Sequence, residues 1–520
     1  MNNIAARLIE SLQNPAIYPH EVTGLSVLET HISWVILTGR YAYKIKKPVN
    51  FGFLDFSTLE KRRHYCEEEV RRNACLAADI YLGVVAITGN PDSPVLDGDG
   101  EVLEYAVRMR EFNPHNELDK CLARGELRAE HIRLLAKKVA RFHQQIMVAD
   151  SASSYGGNEA ILAPSMENLD QIKTLIGDEV ESVIDPVRQW MMQAWDQLRP
   201  VFEGRKAGGY IRECHGDLHL HNIALDQGDL LIFDCIEFNP DLYWIDVMSE
   251  IAFTVMDLDD RQQSQLAWIF LNYYLQQTGD YEGLSVLRFY LVYRAMVRAK
   301  VDCIRAHQEG VSAHDRDQIL NEFRSYLDLA KQYIDHKKPL LVITHGLSGS
   351  GKTLIASQLA PVLGAVHLRS DIERKRLFGL AETASSGASI NTGIYNKEAT
   401  EKTYQQLFDI TKKAIQSGFN VIVDAAFLEQ DRRQLFYELS LALGMPCYIL
   451  DCQAPEAELA MRISQRQRAG NDASEADLDV LKHQLKTAAP LTPAETLRSI
   501  PIDTCQILNI NKILSTVNRA

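Results

Sequence analysis

Residues 340–353 read LLVITHGLSGSGKT. The apolar run Leu340 to Ile343 suits a buried parallel strand, and Gly346, Gly351, Lys352 and Thr353 then fit the spacing G-x-x-x-x-G-K-[ST]. Glycines in such a turn let successive backbone N–H groups converge on phosphate oxygens. The amides of Gly346, Ser348, Gly349, Ser350 and Gly351 would form the cradle, Lys352 would reach the β and γ phosphates, and the Thr353 hydroxyl would meet Mg²⁺ at the start of a helix. A second constellation is HGDLHLHN at 215–222, followed by the apolar run LLIFDCIEF carrying Asp234. An Asp shortly before an Asn on one loop can place a carboxylate at an incoming hydroxyl while the amide oxygen holds a metal. A further Asp at a strand end can bridge that metal to phosphates. By residue type alone, His215, His219 and His221 also suit zinc, but Mg²⁺ chemistry accounts for the neighbouring Asp and Asn and zinc does not.

The surrounding pattern supplies supports for both. Residues 1–15 read as an amphipathic helix with Ile4, Leu8 and Leu12 on one stripe, ended by Pro15. Two strand-like runs, Trp34 to Leu37 and Tyr41 to Ile45, flank a hairpin turn, and the second carries Lys44 with Lys46 and Lys47 just after it as a basic edge. A charged helix from about Ser57 to Ala77, strands near 81–88 and 102–109, and a helix over 129–145 follow, then helices over 261–333. Strands with one helix and then helices suggest a small mixed lobe joined to an α-rich one. Beyond the polar run 335–338, strands alternate with helices, which means a parallel α/β sheet whose ligand site lies at the carboxyl ends of its strands. Asp371 and Asp424 fall at such ends. Arg462 and Arg466 share a helix face, with Arg468 just beyond, placed to close over phosphates and stabilise transferring charge.

At 520 residues the chain exceeds one ordinary domain, and 46% hydrophobic with 24% charged residues is ordinary globular usage. A net charge of -14 argues against a broad nucleic-acid or anionic-membrane surface. Nine cysteines without metal-ligand spacing read as reduced thiols of a cytoplasmic protein, and neither a signal peptide nor a membrane-spanning run is expected.

HGDLHLHN with IFD resembles the catalytic and metal-binding motifs of the aminoglycoside phosphotransferase and choline kinase group, which has a protein-kinase-like fold. The resemblance implies Asp217 as catalytic base, Asn222 and Asp234 as Mg²⁺ ligands, Lys44 as the phosphate-side lysine and Glu69 as its acidic partner. GLSGSGKT, RSD, VIVDA and the arginine helix are similar to P-loop small-molecule kinases of the chloramphenicol phosphotransferase and zeta-toxin type. That similarity implies Asp371 as substrate-side base and Arg462, Arg466 and Arg468 as the lid.

The expectation is a two-domain protein: an α+β bilobal protein-kinase-like fold over 1–334, a junction at 335–338, and an α/β P-loop NTPase fold over 339–520, each half folding alone. Each would move the γ-phosphoryl group of ATP, with Mg²⁺, to a hydroxyl of a small molecule. The alternatives are a nucleotide-dependent regulatory protein with an inactive first domain, or a nucleic-acid 5′-hydroxyl kinase. The acidic balance and the lack of an aromatic-basic strand-binding stretch count against the latter. Neither the acceptors nor the oligomeric state are legible.

Overall fold

The computed structural model describes residues 2–52, 54–177, 180–308, 311–335, 338–384, 392–469 and 472–517. The chain forms two compact units, one of residues 1–167 and 202–257 and the other of 168–201 and 258–520.

In the first unit, helix α1 (Asn2–Ser11) precedes strands β1 (Ser26–Glu29), β2 (Ser33–Leu37) and β3 (Tyr41–Lys46). Helix α2 (Leu59–Ala77) leads to β4 (Tyr81–Asn90), β5 (Ser93–Leu96) and β6 (Val102–Arg110). The six strands make one antiparallel sheet in the order β1-β2-β3-β6-β4-β5. Tyr43, Ile45, Val85 and Ala106 pack with Leu8 of α1 and Leu12 just after it, whereas Tyr81 and Val107 pack with Cys66 and Ala77 of α2. Ile4, expected on the same buried stripe, is 60% exposed. Strand side chains alternate, so Lys44 and Lys46, interleaved with Tyr43 and Ile45, leave β3 on the α2 face.

Helices α3 (Leu118–Ala123), α4 (Ala129–Gln145), α5 (Asn158–Ile176) and α6 (Glu181–Ala207) follow. Strand β7 (Ile211–Glu213), the hairpin β8 (Ile223–Asp226) and β9 (Asp229–Ile232), strand β10 (Trp244–Asp246) and helix α7 (Val247–Asp260) then frame the His215–Asn222 loop.

The second unit contains α8 (Ser264–Thr278), α9 (Leu284–Ala306) and α10 (Ala313–Ile334), read from sequence as completing the first lobe. It also contains five parallel strands: β11 (Leu341–His345), β12 (Ala365–Arg369), β13 (Asn420–Asp424), β14 (Cys447–Gln453) and β15 (Ser499–Asp503). Their order is β12-β13-β11-β14-β15, so the loop leaving β11 opens where the connections reverse direction, the usual ligand position in such sheets. Helices α11 (Lys352–Leu363), α12 (Ser370–Leu377), α13 (Lys397–Gln416), α14 (Gln430–Ala442), α15 (Glu456–Ala469), α16 (Leu478–Thr487), α17 (Pro493–Thr496) and α18 (Ile510–Val517), with the end of α5 and most of α6, complete it. Val342, Ile422, Leu450 and Ile500 of the sheet bury against Ile355 and Leu359 of α11 and Ile513 of α18. Among the described residues, no helix is long and apolar enough to cross a membrane.

Arg433 of α14 is 1% exposed. Its guanidinium donates to both carboxylate oxygens of Glu495 at 2.8 and 3.1 Å and to the carbonyls of Phe427, Ala489 and Pro490. Removing it strands a buried carboxylate and three carbonyls. Arg433→Met is therefore expected to cost about 3–5 kcal/mol in denaturant unfolding. A loss under about 1 kcal/mol would mean that these groups find other partners.

Candidate functional site

The first site begins with two lysines on one face of β3. Helix α2 turns Glu67 and Glu68 outward, where they pair with Arg63 and Arg71, and turns Glu69 inward to 0% exposure. Lys44 Nζ lies 2.8 Å from Glu69 Oε1 and 2.5 Å from Asp234 Oδ1. Lys46 Nζ lies 2.6 Å from Glu69 Oε2 and also bonds Glu237. Burial pushes the Lys44 ammonium down, but Asp234, Glu69 and Glu237 outweigh it and keep it charged. Burial likewise pushes Glu69 up, and the two lysines hold it at about 2. Two buried lysines and two buried glutamates cancel. The Asp234 side chain, 45% exposed, is the surplus negative charge.

Asp234 has φ +64, a left-handed conformation uncommon outside glycine. Its N–H donates to the Tyr81 hydroxyl at 3.0 Å, and the next N–H, of Cys235, donates to Asn73 Oδ1 on α2. These bonds hold the bend that presents its carboxylate to Lys44.

The HGD loop is held from behind. Glu250 of α7 accepts the His215 N–H at 2.9 Å and the Gly216 N–H at 2.7 Å, and His143 Nε2 lies 3.2 Å from its Oε1. Gly216, at φ +93, is required, since a Cβ there would stand 2.9 Å from the Leu242 carbonyl. His215 is buried and its pKa is lowered, chiefly by that burial. Its Nδ1 accepts the Asp217 N–H at 3.2 Å, so Nε2 carries the proton and donates to the Phe233 carbonyl at 2.8 Å. With both ring nitrogens engaged, His215 has no lone pair for the zinc alternative. Asp217 Oδ2 accepts from Asn222 Nδ2 at 3.1 Å and lies 3.1 Å from His219 Nε2. His221 stands outside this set, beside Glu117 at 3.1 Å and Asp119 at 3.4 Å, which push its pKa up to about 9.

In the second site the loop closes tightly on its glycines. A Cβ at Gly346 would fall 2.5 Å from the Cys452 carbonyl, and one at Gly349 would fall 2.7 Å from that of Leu459. Lys352 Nζ donates to the carbonyls of Gly346 and Leu347 at 3.0 and 2.8 Å. Ser348 N–H donates to Gln484 Oε1 at 2.8 Å, whereas Ser350 Oγ is buried without a hydrogen-bond partner and borders a cavity of 690 Å³. Burial lowers the Lys352 pKa; Asp424 and Asp371 oppose this, and Arg466 adds to it. Asp424 is 5% exposed and lies 3.2 Å from His367 Nε2. Burial pushes its carboxyl up, and His367, Arg369 and the Thr353 hydroxyl bring it below the usual range. Asp371 occupies the first turn of α12. Arg462 donates to the Gly349 carbonyl at 3.4 Å and to Thr504 Oγ1 at 2.9 Å. Arg466 donates to the Ala476 carbonyl, while Arg468 is exposed.

Lys46, Glu237, Glu250 and His143 complete the first site without a sequence motif to announce them. The spacing of Lys46 from Lys44, which places both on one strand face, was the one available signal.

A buried lysine–carboxylate cluster beside an Asp-Asn loop, together with a glycine loop and lysine on a parallel sheet, defines an ATP-dependent kinase. Residues 72–290 match the family model described as "Phosphotransferase enzyme family" and residues 341–491 match that of an "AAA domain". The chain thus joins a phosphotransferase-family domain of protein-kinase-like α+β fold to an α/β P-loop NTPase domain. Uncharacterized proteins of Mycobacterium tuberculosis and Mycobacterium bovis are 29% identical to it over 489 residues, 91% of this chain and 94% of theirs. Among solved structures, an amicoumacin kinase is 14% identical over 63% of this chain and 96% of its own, with a TM-score of 0.39. A gluconokinase from Sinorhizobium meliloti is 19% identical over 35% and 94%, with a TM-score of 0.26.

Burial pushes the Glu250 carboxyl up, but His143, His215 and the Gly216 N–H hold it at about 2. In an unfolded chain it would titrate at about 4.3. The folded state therefore gains stability from this carboxylate above that value and loses it as pH falls from about 4.3 toward 2. Glu250→Gln is expected to make the acid limb of stability shallower over that window, read from urea midpoints of the full chain. Parallel profiles for the two proteins would show that the clamp is not ionic.

Proposed function

We propose that both domains bind Mg²⁺·ATP and that each transfers the γ-phosphoryl group to a hydroxyl of a small molecule, in the cytoplasm. The observation that carries the first site is the surplus charge at Asp234: the two buried lysines and two buried glutamates cancel without it, and its side chain is 45% exposed while one oxygen pairs with Lys44. A hard divalent cation is what such an oxygen, with the Asn222 amide oxygen, would hold. The bound cation would neutralise charge developing on the phosphates.

The residues of this chain divide the remaining work. Lys44, steadied by Glu69, would be handed from Asp234 to phosphate oxygens, while Asp217, fixed by Asn222 and His219, would accept the proton of the acceptor hydroxyl. In the second domain the amides of 346–351 and Lys352 would bind phosphates, and Thr353 with Asp424 would face the cation. Asp371 would take the acceptor proton. Arg462, which adjoins the loop, and Arg466, one turn further along the same helix, would stabilise the transferring charge.

Calorimetric titration of the full chain with ATP should show two sites per chain in Mg²⁺, and Lys352→Ala should leave one. In the Lys352→Ala background, Asp234→Asn should weaken Mg²⁺-dependent binding. Asp217→Asn should preserve binding and slow transfer into a metabolite extract by about 10² or more. If wild type shows one site and Lys352→Ala abolishes it, the first domain does not bind nucleotide. If wild type binds at both sites and Asp217→Asn transfers as fast as its Lys352→Ala parent, Asp217 is not the base.

A further inference from the structure

Strand β12 is the outer strand of the five-stranded sheet, so one row of its backbone donors and acceptors finds no strand partner. Helix α8 supplies that partner with side chains. Asn272 Nδ2 donates to the Ala365 carbonyl at 2.9 Å, and Asn272 Oδ1 accepts the His367 N–H at 2.7 Å. Gln276 Nε2 donates to the His367 carbonyl at 3.1 Å. The two amides are four residues apart, on one helix face, and each is 5% exposed. Both backbone polar groups of His367 are therefore held by α8, and its ring nitrogen lies against Asp424.

The attachment continues onto α12, the helix of Asp371. The Tyr281 hydroxyl donates to Glu373 Oε1 at 3.0 Å, and Arg376 bonds both Glu373 and the Gln276 carbonyl. Gly279, at φ +74, allows that approach, since a Cβ there would fall 2.7 Å from Arg376 Nε. Behind it, Arg288 donates to the Gly418 carbonyl at 3.1 Å, just before β13. The strand and helix that carry His367 and Asp371 are thus fastened to residues 272–288, all of them within the stretch matched by the phosphotransferase-family model.

We propose that Asn272 and Gln276 are positioning residues of the P-loop site. By fixing the His367 backbone they fix the ring that orients Asp424, so the second kinase site is built partly from a helix of the preceding domain family. The inference rests on the reading of Asp424 and Thr353 as the metal side of that site. An outer partner of this kind changes metal affinity by about 10- to 100-fold when it contacts a ligand directly, and one link further back a shift of about three- to tenfold is expected.

The test uses the full chain with Asp234→Asn, which weakens the other site, and reads the Mg²⁺ concentration giving half-maximal ATP binding. Asn272→Ala and Gln276→Ala should each raise it about three- to tenfold while leaving ATP affinity without Mg²⁺ unchanged. Lys413→Ala, which removes the exposed ion pair with Glu282, should not move it. If the melting temperature falls but the Mg²⁺ dependence does not, α8 is only packing and the proposal is overturned. Should Asn272→Ala fail to fold, Gln276→Ala, which loses a single bond, decides alone. Wild type without Mg²⁺-dependent binding at this site would overturn the functional reading and the inference with it, whereas normal wild-type binding with unshifted variants overturns the inference alone.

Discussion

Two ammonium groups cannot be carried beneath a sheet without opposite charges within reach, because desolvation costs several kcal/mol per ion before any pairing. Lys44 and Lys46 meet that condition through Glu69 on one helix and Asp234 and Glu237 on a distant segment. The cluster therefore fastens together β3, α2 and the chain after β9, the same pieces that shape the site. Stability and placement of the first site are one set of interactions. The left-handed backbone at Asp234 costs conformational energy, and it persists because Tyr81 and Asn73 take the adjoining N–H groups.

The P-loop site meets a different constraint. Its loop is shaped by the absence of side chains at Gly346 and Gly349, where carbonyls press against the Cα atoms, and its charged groups act over a short span of one sheet. What needs support from elsewhere is the outer strand β12, whose backbone has a neighbour on one side only. Charge pairing organises one site and backbone hydrogen bonding the other.

Much of this was legible where the relevant residues are close in sequence. GLSGSGKT and HGDLHLHN are local, and the strand–helix alternation after 338 read as the parallel sheet that forms. Lys46 was taken with Lys47 as a basic edge, because its burial depends on Glu237, 191 positions away, and no periodicity reports such a partner. Glu250 was invisible for the same reason, lying 34 positions from the Gly216 amide it accepts. Strand β5 hides in the turn-rich NPDSPVLDGDG, where two turn signals flank four residues, and β15 runs through Pro501, a residue that argues against a strand. Of the polar run 335–338, residues 336 and 337 lie outside the described residues.

The amides of α8 have a consequence for solubility as well. A five-stranded parallel sheet has two rims, and an open rim is a template on which another extended chain can add itself. One rim, β12, is occupied by Asn272 and Gln276, and the other, β15, carries Pro501, whose missing N–H interrupts the row of donors. Neither rim offers an uninterrupted ladder to a foreign strand, so this domain resists association by strand addition while it remains attached to α8. Severed from that helix, it would present β12 as an adhesive edge.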